Sequence, residues 1–443
     1  MGKILKNNLL SKFIFVIILG LVIISFSACD TIKSNFEKEK YQLEVNITSE
    51  ITGIDSNELK LMVKEDNNTT LVSNFKKNNN KFSVNLTELQ GEVRLIPEYE
   101  GYSFDPPLKF VDKTDENVDF KLQQKDMTVK KRVMAFYYPW YRTEEYSGRY
   151  FHWEGIDRDN KSIANSANYP LGGPYDSTNP EVIERHLKQL SKANIDTIIV
   201  SWWGKGSPSN EVIDLILDKA PEYGIKVTLY YEENKGDSTE ERINNGVSDL
   251  KYIFNNYAAH PAYLWSKEKP VIFLYGRIMG QVSSEEWDEI KNKFKEETGF
   301  NFAMIADDLS ESAAQQFEGI HRYNYAYHMQ ELLKDYTVEE VENIKNQEFE
   351  GWKGLVENNN SILGVPIIPG YDDRKIRNPG IYVSRKDGET YRALWNAAID
   401  ANPDWILITS FNEWHEGTEL EPSIELGEKY LDITEEKSLE WRK

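Results

Sequence analysis

Two rhythms of apolar and polar positions divide the chain. Over residues 41–122 apolar and polar residues alternate in short runs at 43–47, 58–63, 81–86, 93–96 and 118–122, with turn-rich pieces at 66–68 and 76–80. Successive side chains of a strand point to opposite faces, so this period predicts half-buried strands, and their spacing predicts a small all-β sandwich. Residues 123–131 are polar and basic and read as a linker. From 132 to 443 the rhythm becomes strand, loop, helix. Short apolar blocks predict buried strands at 133–137, 196–201, 226–230, 271–274, 302–305, 319–323, 362–368 and 405–409. Helical periods lie between most of them, at 180–190, 210–220, 239–257, 284–297, 338–357 and 389–401. Pro180 and Glu181 suit a first helical turn, where the missing N–H costs nothing and an acid meets the positive end of the helix dipole. Eight strands alternating with helices over about 300 residues predict an α/β fold, a (β/α)8 barrel following the all-β sandwich. A doubly wound open sheet is the alternative, but no glycine-rich nucleotide loop follows the first strand.

The first 28 residues fit neither rhythm. Lys3, Lys6 and Lys12 precede an apolar run at 13–24, and Phe26-Ser-Ala-Cys29 then resembles the lipobox of bacterial lipoproteins, with Phe26 in place of the usual Leu. The resemblance implies a signal peptide over 1–28, cleavage before Cys29, acylation of Cys29 and a lipidated tether over 29–40. Several acyl chains, at about 0.8 kcal/mol per buried CH₂, would anchor the body stably. An uncleaved amino-terminal anchor is the alternative. Either reading puts the body outside the cytoplasm, held at a bacterial membrane. Cys29 is the single cysteine, which leaves no intrachain disulfide and no cysteine-based zinc site.

Charge narrows the partners. There are 52 basic and 73 acidic residues, a net charge of -21, and loss of three lysines with the signal peptide would bring it near -24. That argues against a nucleic-acid backbone as partner and suits a neutral ligand. The 11 Trp and 25 Tyr supply flat rings with polar edges, which pack cores and stack on sugar faces. The 41–122 module has no histidine and no convincing acid pair. Its Gly101-Tyr-Ser-Phe-Asp-Pro-Pro107 resembles a segment of bacterial immunoglobulin-like or carboxypeptidase-regulatory-like modules. A spacer is its plainer reading and carbohydrate binding its sharper one.

Barrel chemistry sits at the carboxyl ends of the strands. Reading those ends in order collects Tyr137-Tyr-Pro-Trp-Tyr141 with His152-Trp153 and Tyr175-Asp176 in the following loop, then Ser201-Trp-Trp-Gly204, Tyr230-Tyr-Glu-Glu-Asn234 and Tyr275. Tyr323-Asn-Tyr325, Pro369-Gly-Tyr-Asp-Asp-Arg374 and Asn412-Glu-Trp-His-Glu416 complete the set. Aromatics and carboxylates with few lysines suit a polyhydroxylated ligand. Cleaving a glycosidic bond needs one carboxyl to protonate the leaving oxygen and a second to assist elsewhere on the sugar. Two neighbouring acids split their pKa values, so one can stay protonated while the other is ionised. Glu413 and Glu416, three residues apart after a buried strand, can face one substrate from one loop. Glu419 and Glu421 fall outside that centre. His415 orients a carboxylate or, with Glu416 and Asp372, ligates a metal. His152 and His186 read as structural, Asp372 and Asp373 either bind hydroxyls or cap a turn with Arg374, and of Trp202 and Trp203 at most one faces the barrel mouth.

Phe136-Tyr-Tyr-Pro-Trp-Tyr141, Val200-Ser-Trp-Trp-Gly204, Pro369-Gly-Tyr-Asp-Asp373 and above all Ser410-Phe-Asn-Glu-Trp-His-Glu-Gly-Thr-Glu-Leu-Glu-Pro422 resemble glycoside hydrolase family 99. That family contains the endo-α-1,2-mannosidases and bacterial endo-α-1,2-mannanases. The resemblance runs in order through residues 133–424 and leaves the β-module outside. It implies a barrel enzyme that retains anomeric configuration on an α-mannan or manno-oligosaccharide and needs neither metal nor cofactor. It implies that Glu413 deprotonates the sugar 2-hydroxyl, which attacks its own anomeric carbon to give a 1,2-anhydro sugar. Glu416 would protonate the leaving group and then activate water. The implied substrate-binding residues are Asn412, Glu232, Tyr275, Trp202, Tyr138, His415, Tyr371 and Asp372. Around Glu232 the family often has His-x-Glu-Pro-Tyr where this chain has Tyr230-Tyr-Glu-Glu-Asn234, a departure that bears on subsite preference. Members linked to polysaccharide biosynthesis, and a glycan-binding protein without turnover, are the other functions such a barrel can carry.

Overall fold

The computed structural model describes residues 40–65 and 68–443. The expected signal peptide, Cys29 and the tether before Lys40 lie outside the described residues. The chain divides into two compact units between Gln123 and Gln124.

The first unit is all β. Its strands are β1 (Lys40–Ser49), β2 (Lys60–Glu65), β3 (Asn68–Val72), β4 (Lys76–Asn78), β5 (Lys81–Gln90), β6 (Val93–Glu98), β7 (Tyr102–Asp105), β8 (Lys109–Val111) and β9 (Asn117–Gln124). They form a five-stranded sheet, β4-β5-β1-β9-β7, and a four-stranded sheet, β3-β2-β6-β8. Val45, Ile47 and Phe120 from the first sheet share one core with Leu61, Val63 and Leu95 from the second. The five alternating runs become β1, β2, β5, β6 and β9. The four shorter strands carried no readable period, because three to five residues hold too few alternations. Residues 76–80, expected as a turn, are in part a strand: Lys76–Asn78 pairs with Lys81–Ser83 across a tight turn.

The second unit is a closed barrel. Its strands are β10 (Arg132–Tyr137), β11 (Thr197–Trp202), β12 (Lys226–Tyr231), β13 (Trp265–Ser266), β14 (Lys269–Leu274), β15 (Ala303–Ala306), β16 (Gly319–His321), β17 (Ile362–Ile367), β18 (Tyr371–Asp372), β19 (Tyr382–Val383) and β20 (Trp405–Ile408). Eight parallel strands run β12-β11-β10-β20-β17-β16-β15-β14, and β14 pairs back to β12 to close the ring. β13 is an antiparallel flap on β14, and β18 and β19 form a hairpin beyond β17. Helices alternate with the strands, among them Pro180–Lys192, Thr239–Ile253, Ser284–Thr298, Val338–Asn359 and Glu389–Ala401. The helix expected at 210–220 begins with a 3₁₀ turn, Asn210–Val212, before Ile213–Lys219, and that at 239–257 ends in a π turn, Phe254–Ala258. Ala326–Asp335 and Lys429–Trp441 are further helices that the apolar pattern did not show.

Alternation along each strand sorts side chains between the barrel interior and the helix layer. Met134, Phe136, Ile199, Phe273, Ile305 and Leu407 fill the interior with Trp405. The filling is tight enough to require glycine at 319, where a Cβ would come 2.9 Å from the Ile362 carbonyl oxygen. The barrel is therefore a packed plug, and the space for a ligand lies above it, at the carboxyl ends of the strands.

Candidate active site

The loop after β20 is folded on itself before it presents any acid. Glu413 N donates to Ser410 Oγ at 2.7 Å, and that hydroxyl lies 2.8 Å from Thr418 Oγ1. Phe411 N donates to the Phe136 carbonyl at 2.9 Å, tying the loop to the end of β10. Asn412, with no exposed surface, completes the tie: its Oδ1 accepts from Tyr138 N at 2.8 Å and its Nδ2 donates to the Tyr138 carbonyl at 3.0 Å. Its place beside the acids agrees with the motif, but its side chain is spent on the Tyr138 backbone and the Tyr175 hydroxyl and does not line the cleft.

Glu413 and Glu416 sit at the floor of one cleft of about 170 Å³, walled by Tyr138, Trp140, Trp203, Tyr230, Tyr275 and Tyr323. Glu232 enters from the end of β12, Arg277 and Arg377 line the mouth, and His415 stands beside Glu413. The two acids are held differently. Glu416 Oε1 accepts from both Nη1 and Nη2 of Arg377 at 3.2 Å, and its Oε2 accepts from the Tyr323 hydroxyl at 3.3 Å. Tyr138 donates in turn to the Tyr323 oxygen at 2.7 Å. Asp373 accepts from Arg377 Nη1 at 2.6 Å and Tyr371 from the same nitrogen at 2.9 Å, which fixes the guanidinium. Glu413 meets no cation directly. Its Oε1 accepts the backbone N–H of His415 at 3.1 Å and faces His415 Nδ1 at 3.3 Å.

Electrostatics follow from this asymmetry. Burial lifts both carboxyls, because the charged form loses water. Glu413 is pushed well above the usual carboxylate range, by burial first and then by the charge of Glu416. Burial raises Glu416 too, but Arg377 and the hydroxyls of Tyr371 and Tyr323 pull it back. Glu232 is pushed up to about 8 by burial, against a hydrogen bond from Ser201 Oγ at 2.7 Å.

Several expected positions need correction. Trp202 is not in the cleft. It ends β11 on the outward side of the alternation, donates to Asn210 Oδ1 at 2.8 Å and packs on Tyr231 and Tyr252. Trp203, one residue on, is the ring in the cleft wall, with its Nε1 on Ser201 Oγ at 2.9 Å. Asp372 is taken up by Arg374, which donates to both its oxygens at 2.7 Å, so it closes a turn. Tyr371 is buried and does not line the cleft, but its hydroxyl acts on Glu416 directly as well as accepting from Arg377. Tyr138, Tyr275, Glu232 and His415 do line the cleft. Among the described residues no group of three His, Cys, Asp or Glu could hold a metal ion. His415 is already committed to Glu413 and to the His152 carbonyl.

Arg377, Trp140, Tyr230 and Arg277 are cleft residues that the sequence reading did not single out as ligands. Arg277 is held flat, 4.7 Å from the Trp203 ring centre and 5.4 Å from that of Tyr275. Neither arginine stands in an apolar block or at a strand end, so the period that found the strands gives them no signal. The aromatics Trp140 and Tyr230 stood inside the quoted strand-end motifs and could have been taken from there.

Residues 128–439 match the model of glycosyl hydrolase family 99. The chain belongs to that family. Across it the family 99 chain is 30% identical over 336 residues to a glycoprotein endo-alpha-1,2-mannosidase of Xenopus laevis, covering 65% of this chain and 69% of the relative. It is 28% identical over 330 residues to the glycoprotein endo-alpha-1,2-mannosidase of Mus musculus, covering 66% and 67%. Among solved structures it is similar to the GH99 endo-alpha-mannosidase from Bacteroides thetaiotaomicron, with a TM-score of 0.59 and 27% identity over 71% of this chain and 98% of that one. The matched residues span the barrel unit and every residue of the cleft, so the family 99 barrel here is that of a glycoside hydrolase.

Proposed function

We propose that the protein is a retaining, endo-acting hydrolase of α-mannosidic linkages of the α-1,2-mannan type, working through a 1,2-anhydro sugar. The observation that carries this reading is the unequal pair at the cleft floor, with Glu416 on a guanidinium and a phenol and Glu413 on neither. A base works better when its proton affinity is raised, and an acid when its conjugate base is stabilised. Glu413 is the raised partner and suits removal of the 2-hydroxyl proton. Glu416, whose anion Arg377 and Tyr323 stabilise, suits protonation of the leaving oxygen. As Glu413 takes the proton, O2 bonds to C1, the C1–O bond to the leaving sugar breaks, and that oxygen takes the Glu416 proton. In the second half Glu416 takes a proton from water, the water oxygen bonds to C1, the C1–O2 bond breaks, and Glu413 returns its proton to O2. Two inversions at C1 give net retention. In an α-mannoside the 2-hydroxyl lies trans to the leaving group, as such an attack requires. The names of the similar mannosidases support the same substrate class.

The test is incubation of the protein with yeast α-mannan and a defined α-1,2-linked manno-oligosaccharide, followed by mass and anomer-resolved NMR. Short products of retained configuration are expected, with turnover falling about 10²- to 10⁴-fold in Glu413→Gln and in Glu416→Gln. Full turnover in either variant, or inverted products, would sink the reading.

We further propose that the protein is anchored outside the cytoplasm through acylated Cys29 and that the 41–122 module is a spacer. Support for the anchor is the basic start, the apolar run and Phe26-Ser-Ala-Cys29. Among the described residues no helix is long and apolar enough to cross a membrane. Cys29→Ser is expected to move the protein from the membrane to the soluble fraction of the cells; retention in the membrane argues for an uncleaved anchor.

A further inference from the structure

We infer that His415 is the proton acceptor that frees Glu413 to act as a base: the two side chains hold one proton between Oε1 and Nδ1, and substrate drives it onto the imidazole. This rests on the assignment of Glu413 to the 2-hydroxyl.

The geometry leaves His415 little choice of state. Its Nε2 lies 2.7 Å from the carbonyl oxygen of His152. Asn165 Nδ2 also lies 3.1 Å from this nitrogen, but the carbonyl is nearer and only accepts, so Nε2 carries the hydrogen. In the neutral ring Nδ1 is then a bare lone pair, and it faces Glu413 Oε1 at 3.3 Å. Oε1 is an acceptor too, already taking the His415 backbone N–H at 3.1 Å. Two acceptors face each other here unless one proton stands between them. Either the Glu413 hydroxyl donates to Nδ1, or an imidazolium Nδ1–H donates to the carboxylate.

A second observation shows that this tautomer is built in. The carbonyl that sets it belongs to His152, which has φ +61°, a left-handed position that a residue with a Cβ adopts at a cost. The His152 ring is clamped on Trp140, with centroids 4.3 Å apart and planes 10° apart. Asn165 Nδ2 donates to the same carbonyl at 3.2 Å. Backbone strain, ring stacking and a side-chain amide thus all aim one oxygen at one nitrogen of His415.

The surrounding charges decide where the proton rests. Whenever Glu416 on the same loop or Glu232 at the end of β12 is ionised, its charge favours a proton on Glu413. From the β18–β19 hairpin Arg377 favours ionised Glu413 and disfavours imidazolium. From the loop after β10 Glu154 favours imidazolium, while His152, pushed down to about 3 by burial, stays neutral. The phenols of Tyr138, Tyr141 and Tyr323 are raised by burial and stay neutral. Burial also lowers His415 itself, so in the empty cleft the proton rests on Glu413. A sugar hydroxyl donating to Oε2 stabilises the carboxylate and tips the pair. The Oε1–H bond breaks, Nδ1–H forms, and Glu413 is left anionic with Oε2 on the 2-hydroxyl. After proton abstraction Glu413 is neutral beside an imidazolium, and the reverse steps restore both. His415 is a positioning residue here, because it acts through Glu413.

Two measurements test this on the whole protein. The first is the pH profile of kcat/KM on an α-1,2-linked manno-oligosaccharide for the wild type and for His415→Gln. The acidic limb is expected to move up by a pH unit or more in the variant, with most activity recovered on the alkaline side. A uniform loss with an unmoved limb would overturn the inference and leave His415 a packing residue. The second is ¹⁵N NMR of the histidine-labelled wild type alone and, to hold the sugar without turnover, of Glu416→Gln with α-1,2-linked mannotriose. Nδ1 of His415 is expected hydrogen-bonded but unprotonated when free, and protonated when the sugar is bound. A Nδ1 that shows no hydrogen bond in the free protein, or that stays unprotonated with sugar bound, overturns it. If Glu413→Gln keeps full turnover, the base assignment falls by itself, and the free-state Nδ1 signal still decides whether the pair shares a proton.

Discussion

Arg377 reaches Glu416 across 39 residues of sequence, from a hairpin rather than from a strand end. Without its guanidinium, Glu416 keeps the burial that raises it and loses the charge that lowers it. In Arg377→Ala the alkaline limb of the kcat/KM profile, which reports the protonated acid, is therefore expected at higher pH. Activity at the optimum should fall about 10²-fold, the scale on which a single preorganised donor acts. An unmoved limb would take Glu416 out of the acid role. Trp202 and Trp203 make a sharper contrast, since they are chain neighbours with opposite surroundings. Trp202→Ala empties a closed pocket and should cost about 3–5 kcal/mol of stability, seen in the thermal midpoint, with KM little changed. Trp203→Ala should do the reverse, raising KM severalfold through loss of a stacking ring worth about 1 kcal/mol. Equal effects on KM would mean that the strand alternation has been misread.

At the scale of elements, what was legible in the sequence is what repeats. Each barrel strand is a continuous apolar block because helices or the packed interior cover both faces, and those blocks located all eight strands and hence the ends where the acids stand. Those ends collected Glu413, Glu416, Glu232, Tyr138 and Tyr275, the family resemblance picked them out as a site, and all five line one cleft. Trp202 and Asp372 could not be excluded from it. Facing at a strand's last residue depends on where the strand ends, and a carboxylate's partner depends on a fold-back that no period encodes. Helix starts carry a different signal, read in the sequence only at Pro180 and Glu181. Ser283 and Glu286 form a reciprocal cap on Ser284–Thr298, and Arg242 from the neighbouring helix grips Glu286 at 2.6 and 3.1 Å. Arg242, first among the causes, holds the Glu286 carboxyl down at about 2, below its unfolded 4.5. A depressed acid stabilises the fold fully above the unfolded value and loses that contribution as pH falls toward 2. The thermal midpoint should thus drop more steeply between pH 5 and 3 in the wild type than in Glu286→Gln. Parallel curves would show that the grip does not contribute.

At the scale of the whole molecule, the net charge of -21 surrounds a cleft whose own charges are largely balanced. Glu232, raised to about 8, is mostly neutral at pH 7, and Arg377 answers Glu416. A neutral glycan can enter such a site without an electrostatic barrier, while the acidic exterior keeps copies apart. The β unit adds protection of another kind. A barrel closed by β12 on β14 has no free edge, but two open sheets have four. Those four are β4 and β7 in one sheet and β3 and β8 in the other, the short strands of three to five residues. β4 is Lys-Lys-Asn, exposed throughout. Edges this brief, one of them led by two lysines, make poor templates for another chain's strand. If the proposed anchor at Cys29 holds many copies side by side, they meet at high local concentration, and edges this short disfavour strand pairing between them.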